Sequence, residues 1–176
     1  MLRFGRVFPR KQESRDEFEA VALPFLPEIY RTAVGLIGNR DEAEDLAQDV
    51  FMQAWKSYHR FEKGTNMRAW LHKILVYRAS HFRRKFFRMM PFGNKDEAAP
   101  DIPVEPDVPD HFSNRQVMDA LNEVPAPFRE ALVLADVREF SYLEIAGMLK
   151  IPIGTVMSRL SRGRKLLRTK VTERGL

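Results

Sequence analysis

Ser141-Tyr142-Leu143-Glu144-Ile145-Ala146-Gly147-Met148-Leu149-Lys150-Ile151-Pro152-Ile153-Gly154-Thr155-Val156-Met157-Ser158-Arg159-Leu160 is the stretch that decides how this 176-residue chain is read. Ser141 and Glu144 have the spacing of a capping box: the serine oxygen accepts from the backbone three residues on, and the glutamate reaches back. They open a short helix whose apolar side is expected to carry Leu143, Ile145, Ala146 and Leu149. Lys150-Ile151-Pro152 breaks that helix, and Pro152 pre-sets the first turn of the next. There Ile153, Val156, Leu160 and Leu167 are expected inside, leaving Thr155, Ser158, Arg159, Ser161, Arg162 and Lys165 outside. A short helix, a tight turn and a longer basic helix form a helix-turn-helix, whose second helix enters the major groove of DNA. The outward residue types suit that task. Arginine donates two bonds to the O6 and N7 edge of guanine, and serine or threonine bonds several bases or a phosphate.

Upstream of this motif, Ser113 to Glu123 and Pro127 to Asp136 read as two helices joined by the turn at Pro125 to Pro127. Before them the charge pattern changes abruptly. From Asp96 to Asp110 every charged residue is acidic, and prolines at 100, 103, 106 and 109 forbid a continuous helix, so this segment is an extended tether. From Lys63 to Lys95 every charged residue is basic, as it is again from Ile151 to Lys170. A single charge run is most often a solvated face. Two cationic modules on one tether suit a polyanion gripped at two separated stretches.

The first third of the chain continues the helical pattern. Phe18, Val21, Ala22, Phe25, Ile29, Ala33 and Leu36 recur at helical spacing, but Pro24 and Pro27 require a break, and Gly38-Asn39 an end. Asp41 is expected to cap a helix with an apolar stripe of Ala43, Leu46, Ala47, Val50, Phe51, Ala54 and Trp55 and an acidic outer face. Gly64 marks a loop from Phe61 to Asn66, before a third helix from about Met67 to Arg88 with Trp70, Leu71, Ile74, Leu75 and Phe82 on its core side. No strand and no internal repeat is expected. The chain therefore reads as all-α, with two small helical domains joined by an extended linker. Residues 1–15 form a basic extension, 16–90 the first domain, 91–111 the linker and 112–172 the second domain.

Composition narrows the chemistry. Hydrophobic residues at 44% and charged residues at 30% suit a chain that buries a core rather than a disordered one. Without cysteine there is no disulfide, thiolate metal site or thiol sensor. The four histidines lack metal-ligand spacing, so no metal and no cofactor is expected. No signal peptide or membrane-length apolar run is expected, which makes the cytoplasm the default location. Net charge is +5, in keeping with a polyanionic partner. A metal-dependent nuclease would need clustered carboxylates or histidines, whereas the acids from Asp41 to Asp49 lie beside a hydrophobic stripe on one helix. No catalytic residue is assigned and no enzyme activity is expected.

Two sets of residues resemble one family. Asp41-Glu42-Ala43-Glu44-Asp45-Leu46-Ala47-Gln48-Asp49-Val50-Phe51 with Ala54-Trp55 is similar to the region two helix of the group-four, or extracytoplasmic-function (ECF), sigma factors of bacterial RNA polymerase. Phe61 through Trp70-Leu71 resembles the promoter-melting segment that follows it. Phe140 to Ala146 and Ile153 to Leu160 resemble region four. The resemblance implies that Asp45, Gln48, Asp49 and Gln53 dock on the clamp helices of the largest polymerase subunits, and that region four meets the flap of the second-largest. It implies that Phe61, Lys63, Asn66, Arg78, Arg83, Arg84 and Lys85 hold the opened minus-ten element. It likewise implies that Thr155, Ser158, Arg159, Ser161, Arg162 and Lys165 read the minus-thirty-five element.

The wording at Phe61 to Asn66 and Gly154 to Leu160 is similar to the oxidative-stress branch that pairs with zinc-containing anti-sigma factors. Tyr77 stands where many members have asparagine, and Met157 where many have a basic residue. The alternative is a stand-alone helix-turn-helix regulator, which would bind a duplex tightly without polymerase, usually as a dimer.

Overall fold

In the computed structural model the chain is described over residues 11–89 and 114–174, with side chains described over 14–82 and 117–174; the acidic tether lies outside those residues. Eight α-helices are found there and no strand: α1 Lys11–Ala22, α2 Leu26–Ile37, α3 Arg40–Ser57, α4 Met67–Met89, α5 Asn114–Asn122, α6 Ala126–Leu132, α7 Tyr142–Leu149 and α8 Ile153–Glu173. The expected break falls at Leu23–Phe25, a single tight turn holding Pro24, after which α2 restarts with Pro27 in its first turn. The run Ser14–Ile37 is long and apolar enough to cross a bilayer, with a mean hydropathy of 1.3. Here it is bent, and it buries Phe18, Ala22, Ile29, Ala33 and Leu36 against the bundle. Val21, expected among these, is exposed.

Gly38 ends α2 in the left-handed conformation (φ 86°), and a Cβ there would stand 2.9 Å from Asn122 Oδ1, so both backbone and space require glycine. The cap of α3 is Asn39 rather than Asp41. Its backbone is extended and its Oδ1 accepts from the amides of Asp41 (2.9 Å) and Glu42 (3.2 Å), leaving Asp41 as a first-turn acid facing the helix dipole. Asn66 does the same for α4, its Oδ1 accepting from the Ala69 amide at 3.0 Å. α2, α3 and α4 pack on one another around Ile29, Leu36, Val50, Leu71 and Leu75, all buried.

In the C-terminal group α8 lies along α6 and crosses α7. Gly163 brings the first two helices together: a Cβ there would lie 3.0 Å from Leu132 Cγ and 3.3 Å from Phe128 Cβ. α6 runs on into a wider π-turn, Val133–Val137, whose Val133 and Leu134 are buried. Two expectations fail at this end. Leu143 is 74% exposed, because on a two-turn helix Ile145 and Met148 take the inward face and Leu143 falls opposite them. Ile153 is also exposed; Val156, Leu160 and Gly163 supply the buried side of α8.

Candidate nucleic-acid interface

The capping box forms as the spacing requires. Ser141 Oγ accepts from the Glu144 amide at 3.3 Å, while Glu144 Oε2 accepts from the Ser141 amide at 2.9 Å and from its hydroxyl at 2.7 Å. Those bonds hold the Glu144 carboxyl below the usual carboxylate range. α7 ends on Lys150, a lysine in the left-handed conformation (φ 54°), where glycine is the common choice. Pro152 then caps α8, so the turn between the helices has a single tight path.

Basic residues of α8 divide into two groups. Arg164 makes a fork to Asp136 (3.1 and 2.7 Å), and its hydrogen bonds to Asp136 raise its already high pKa. Lys170, and Arg174 at the C-cap, both reach Glu123, the residue just past the end of α5. These three pin α8 to its own module. Lys165 is exposed and has no ion-pair partner among the described residues. Thr155, Ser158, Ser161 and Arg162 are half-buried on α8, beside the exposed Gly154 and Met157. Arg159 turns instead toward α4 and lines a cleft between the two helical groups.

The second expected DNA surface begins at Phe61, which is half-buried in a row of rings. It stacks on Tyr58 (centroids 6.0 Å apart, planes 12°) and tilts against Trp70 at 5.0 Å, so one of its faces is already taken. Lys63 is exposed but pairs with Glu17 at 2.5 Å, a contact open to solvent that a phosphate can replace. The Asn66 amide oxygen is committed to its cap. Arg78 makes a two-pronged pair with Asp49, its Nη2 2.5 Å from Oδ1, so a residue expected to face DNA and one expected to face polymerase hold each other. Asp45 and Gln48 are exposed, and Gln53 is half-buried. The side chains of Arg83, Arg84 and Lys85 lie outside the described residues. Among those residues no cluster suited to a metal ion occurs.

Residues 23–86 match the family model of sigma-70 region 2, and residues 114–167 that of sigma-70 region 4. The ECF RNA polymerase sigma factor EcfG of Rhodopseudomonas palustris is 30% identical over 90% of this chain and 85% of its own length. The chain belongs to the ECF sigma factors. ECF sigma factor SigE of Mycolicibacterium smegmatis is 35% identical over 80% of this chain, which spans 56% of that longer protein. The sigma factor RpoE of Bartonella quintana, solved in complex with the anti-sigma factor NepR, shares 33% identity. Its TM-score is 0.71, covering 89% of this chain and 98% of that one.

In this sigma factor regions two and four pack together through a seam that sequence reasoning missed. Arg68 on α4 donates from Nε to Glu28 Oε1 (2.7 Å) and from Nη2 to the Arg138 carbonyl (2.6 Å), with its guanidinium 4.3 Å from the centre of the Phe140 ring. His72, fully buried one turn on, meets Phe140 edge-on at 4.8 Å. Its Nδ1 donates to the Arg68 carbonyl (2.8 Å), and its Nε2 lies 3.2 Å from the Thr32 hydroxyl. That hydroxyl has one proton and already donates to the Glu28 carbonyl at 2.8 Å, so a protonated Nε2 would find an acceptor there. Burial outweighs this: together with Arg68 and Arg138 it lowers the His72 pKa, against the pull of Glu28 and the Arg68 carbonyl.

With the folded pKa below the unfolded value of about 6.5, the unfolded chain binds more protons as the pH falls. Stability is therefore full above about pH 6.5 and declines below it until the folded group itself protonates. Urea unfolding between about pH 7 and 5.5, above most of the carboxylate range, should show this slope in the parent and not in His72→Gln. Equal slopes would remove His72 as its source.

Proposed function

We infer that this chain directs core RNA polymerase to specific promoters and initiates transcription there, acting in the cytoplasm where polymerase and DNA reside. The observation that carries this reading is the presence, on one chain, of both sigma regions, each with its own exposed face. Asp45, Gln48, Asp49 and Gln53 on α3 would dock on the clamp helices, and region four on the flap. Phe61, Lys63, Asn66 and Arg78, with Arg83, Arg84 and Lys85, would hold the opened minus-ten strand by ring stacking and phosphate contacts. Thr155, Ser158, Arg159, Ser161, Arg162 and Lys165 would read the minus-thirty-five element.

Geometry adds a condition. Elements about 25 base pairs apart are separated by on the order of 85 Å of duplex. A compact chain of this length has a radius of gyration of only about 16 Å. The Arg68–Phe140 seam must therefore part before one molecule reads both, which makes the isolated factor a weak binder and polymerase the agent that sets the spacing. Chemistry belongs to polymerase, and no catalytic group is assigned to this chain.

Run-off transcription from a cognate promoter should require core polymerase and this protein together. A promoter-dependent product without it, or none with it, would overturn the reading. A gel shift separates the rival, since a stand-alone regulator would bind the duplex as tightly without core. Arg162→Ala should cost about 1–3 kcal/mol of promoter binding and relax one base position, read by randomised-site selection; an unchanged preference would remove Arg162 from the readers.

An anti-sigma partner accords with the complex known for the Bartonella relative. The oxidative-stress branch, with a zinc-containing anti-sigma factor, is supported by the wording of Phe61 to Asn66 and Gly154 to Leu160. Release of such a partner by peroxide or by a zinc chelator is its test.

A further inference from the structure

On the far side of α4 from the Arg68 seam, regions two and four leave a cleft of about 770 Å³ between them. Its floor is apolar: Trp70 and Ile74 of α4 face Met148, Leu149 and Ile151 of the helix-turn-helix. Three cations from different elements line it, Lys73 on α4, Lys150 at the turn and Arg159 on α8. None of the three has an ion-pair or hydrogen-bond partner among the described residues. The fourth cation of the lining, Arg78, is occupied by Asp49. The one acid, Glu130, is buried and engaged. Three unpaired cations lining one cleft from two modules give it a positive potential, which a multiply charged anion would neutralise. Tyr77, 53% exposed at the edge, adds a ring to that of Trp70. A mostly apolar cavity of this volume at a domain interface, with a few convergent polar groups, has the form of a small-molecule site.

We propose that this cleft binds a free nucleotide carrying several phosphates, its base against Trp70 and Tyr77 and its phosphates among Lys73, Lys150 and Arg159. Because the cations come from both regions, the ligand favours the packed arrangement and opposes the separation that promoter reading needs. It acts as a brake.

The chain has two tryptophans, so Trp55→Phe leaves Trp70 as the sole reporter in the cleft. ATP, GTP and inorganic tripolyphosphate are titrated separately against this full-length variant, without polymerase, so the result does not depend on promoter activity. The expected result is saturable quenching by both nucleotides below about 1 mM, with tripolyphosphate weaker for want of a ring. Lys73→Ala and Lys150→Gly should each weaken nucleotide binding about tenfold, the glycine matching the left-handed backbone at 150. Circular dichroism melts confirm that both variants fold.

Absence of saturation, or undiminished binding by both variants, overturns the site. Equal affinity for tripolyphosphate overturns the place given to the base. Displacement by a short single-stranded oligonucleotide at lower concentration than by mononucleotide assigns the cleft to polynucleotide and overturns the proposal.

Discussion

Leu160→Ala is expected to lower the unfolding free energy of region four by about 2–5 kcal/mol. Leu160 is 1% exposed at the middle of α8, in the core that α8 forms with α6 and α7. Truncation removes the apolar transfer energy of three carbons and leaves a void between helices that Arg164, Lys170 and Arg174 continue to pin in place, so collapse around it is limited. For a module of this size a loss in that range is much of its total stability. Urea unfolding should show the midpoint falling, and transcription from a promoter that depends on its minus-thirty-five element should fall with it. A shift of under about 0.5 kcal/mol would mean that the α6–α8 contact is loose enough to collapse around the lost side chain.

Gly163→Val probes the same contact with the opposite change in volume. Any side chain in place of a mid-helix glycine gains up to about 1 kcal/mol of helix propensity. A Cβ at 163 meets Leu132 Cγ at 3.0 Å, Cδ1 at 3.1 Å and Phe128 Cβ at 3.3 Å, and valine adds two methyl groups beyond it. Overpacking of this kind costs about 1–3 kcal/mol, so the clash wins and a net loss of about 2 kcal/mol is expected. Gly163→Ala should come out near neutral, its propensity gain offsetting a smaller displacement of the flexible Leu132. Stabilisation by valine would show that α6 can retreat without loss. Thermal melts of the three proteins decide between these outcomes.

Local signals carried the sequence reading where they are strong. A serine and a glutamate three apart are self-sufficient, and so is a proline that cannot continue a helix; the capping box and the break at Pro24 follow from them. Apolar identity is a weaker guide, since much of a folded surface is apolar. Helical spacing puts Leu143 and Ile153 on the inward sides of their helices, yet both are exposed, because α7 carries more apolar residues than one face of two turns can hold and Val156 and Leu160 supply the buried side of α8. The cap of α3 falls to Asn39, two positions before Asp41, because Asn39 has the extended backbone that a cap needs and its side-chain oxygen reaches the first amides.

The candidate surfaces were legible as residue types and much less so as geometry. Nothing local distinguishes Arg164, bound to Asp136, from Lys165, left to solvent, because the difference depends on an acid 28 residues away. The Arg68 seam joins groups 40 and 70 residues apart, and no periodicity records such a contact.

The Asp49–Arg78 pair has its own consequence. Its two members sit on α3 and α4, the helices proposed to meet polymerase and DNA, and each is the other's partner. A protein that draws the Asp49 carboxylate away releases the Arg78 guanidinium for a phosphate or a base. Thermodynamic reciprocity then requires that a nucleic acid holding Arg78 strengthen that protein's grip by the same factor. With the roles proposed above, cooperativity between polymerase and DNA would reside in a single ion pair, and a double-mutant cycle at Asp49 and Arg78, read out as the effect of promoter DNA on polymerase affinity, would measure it.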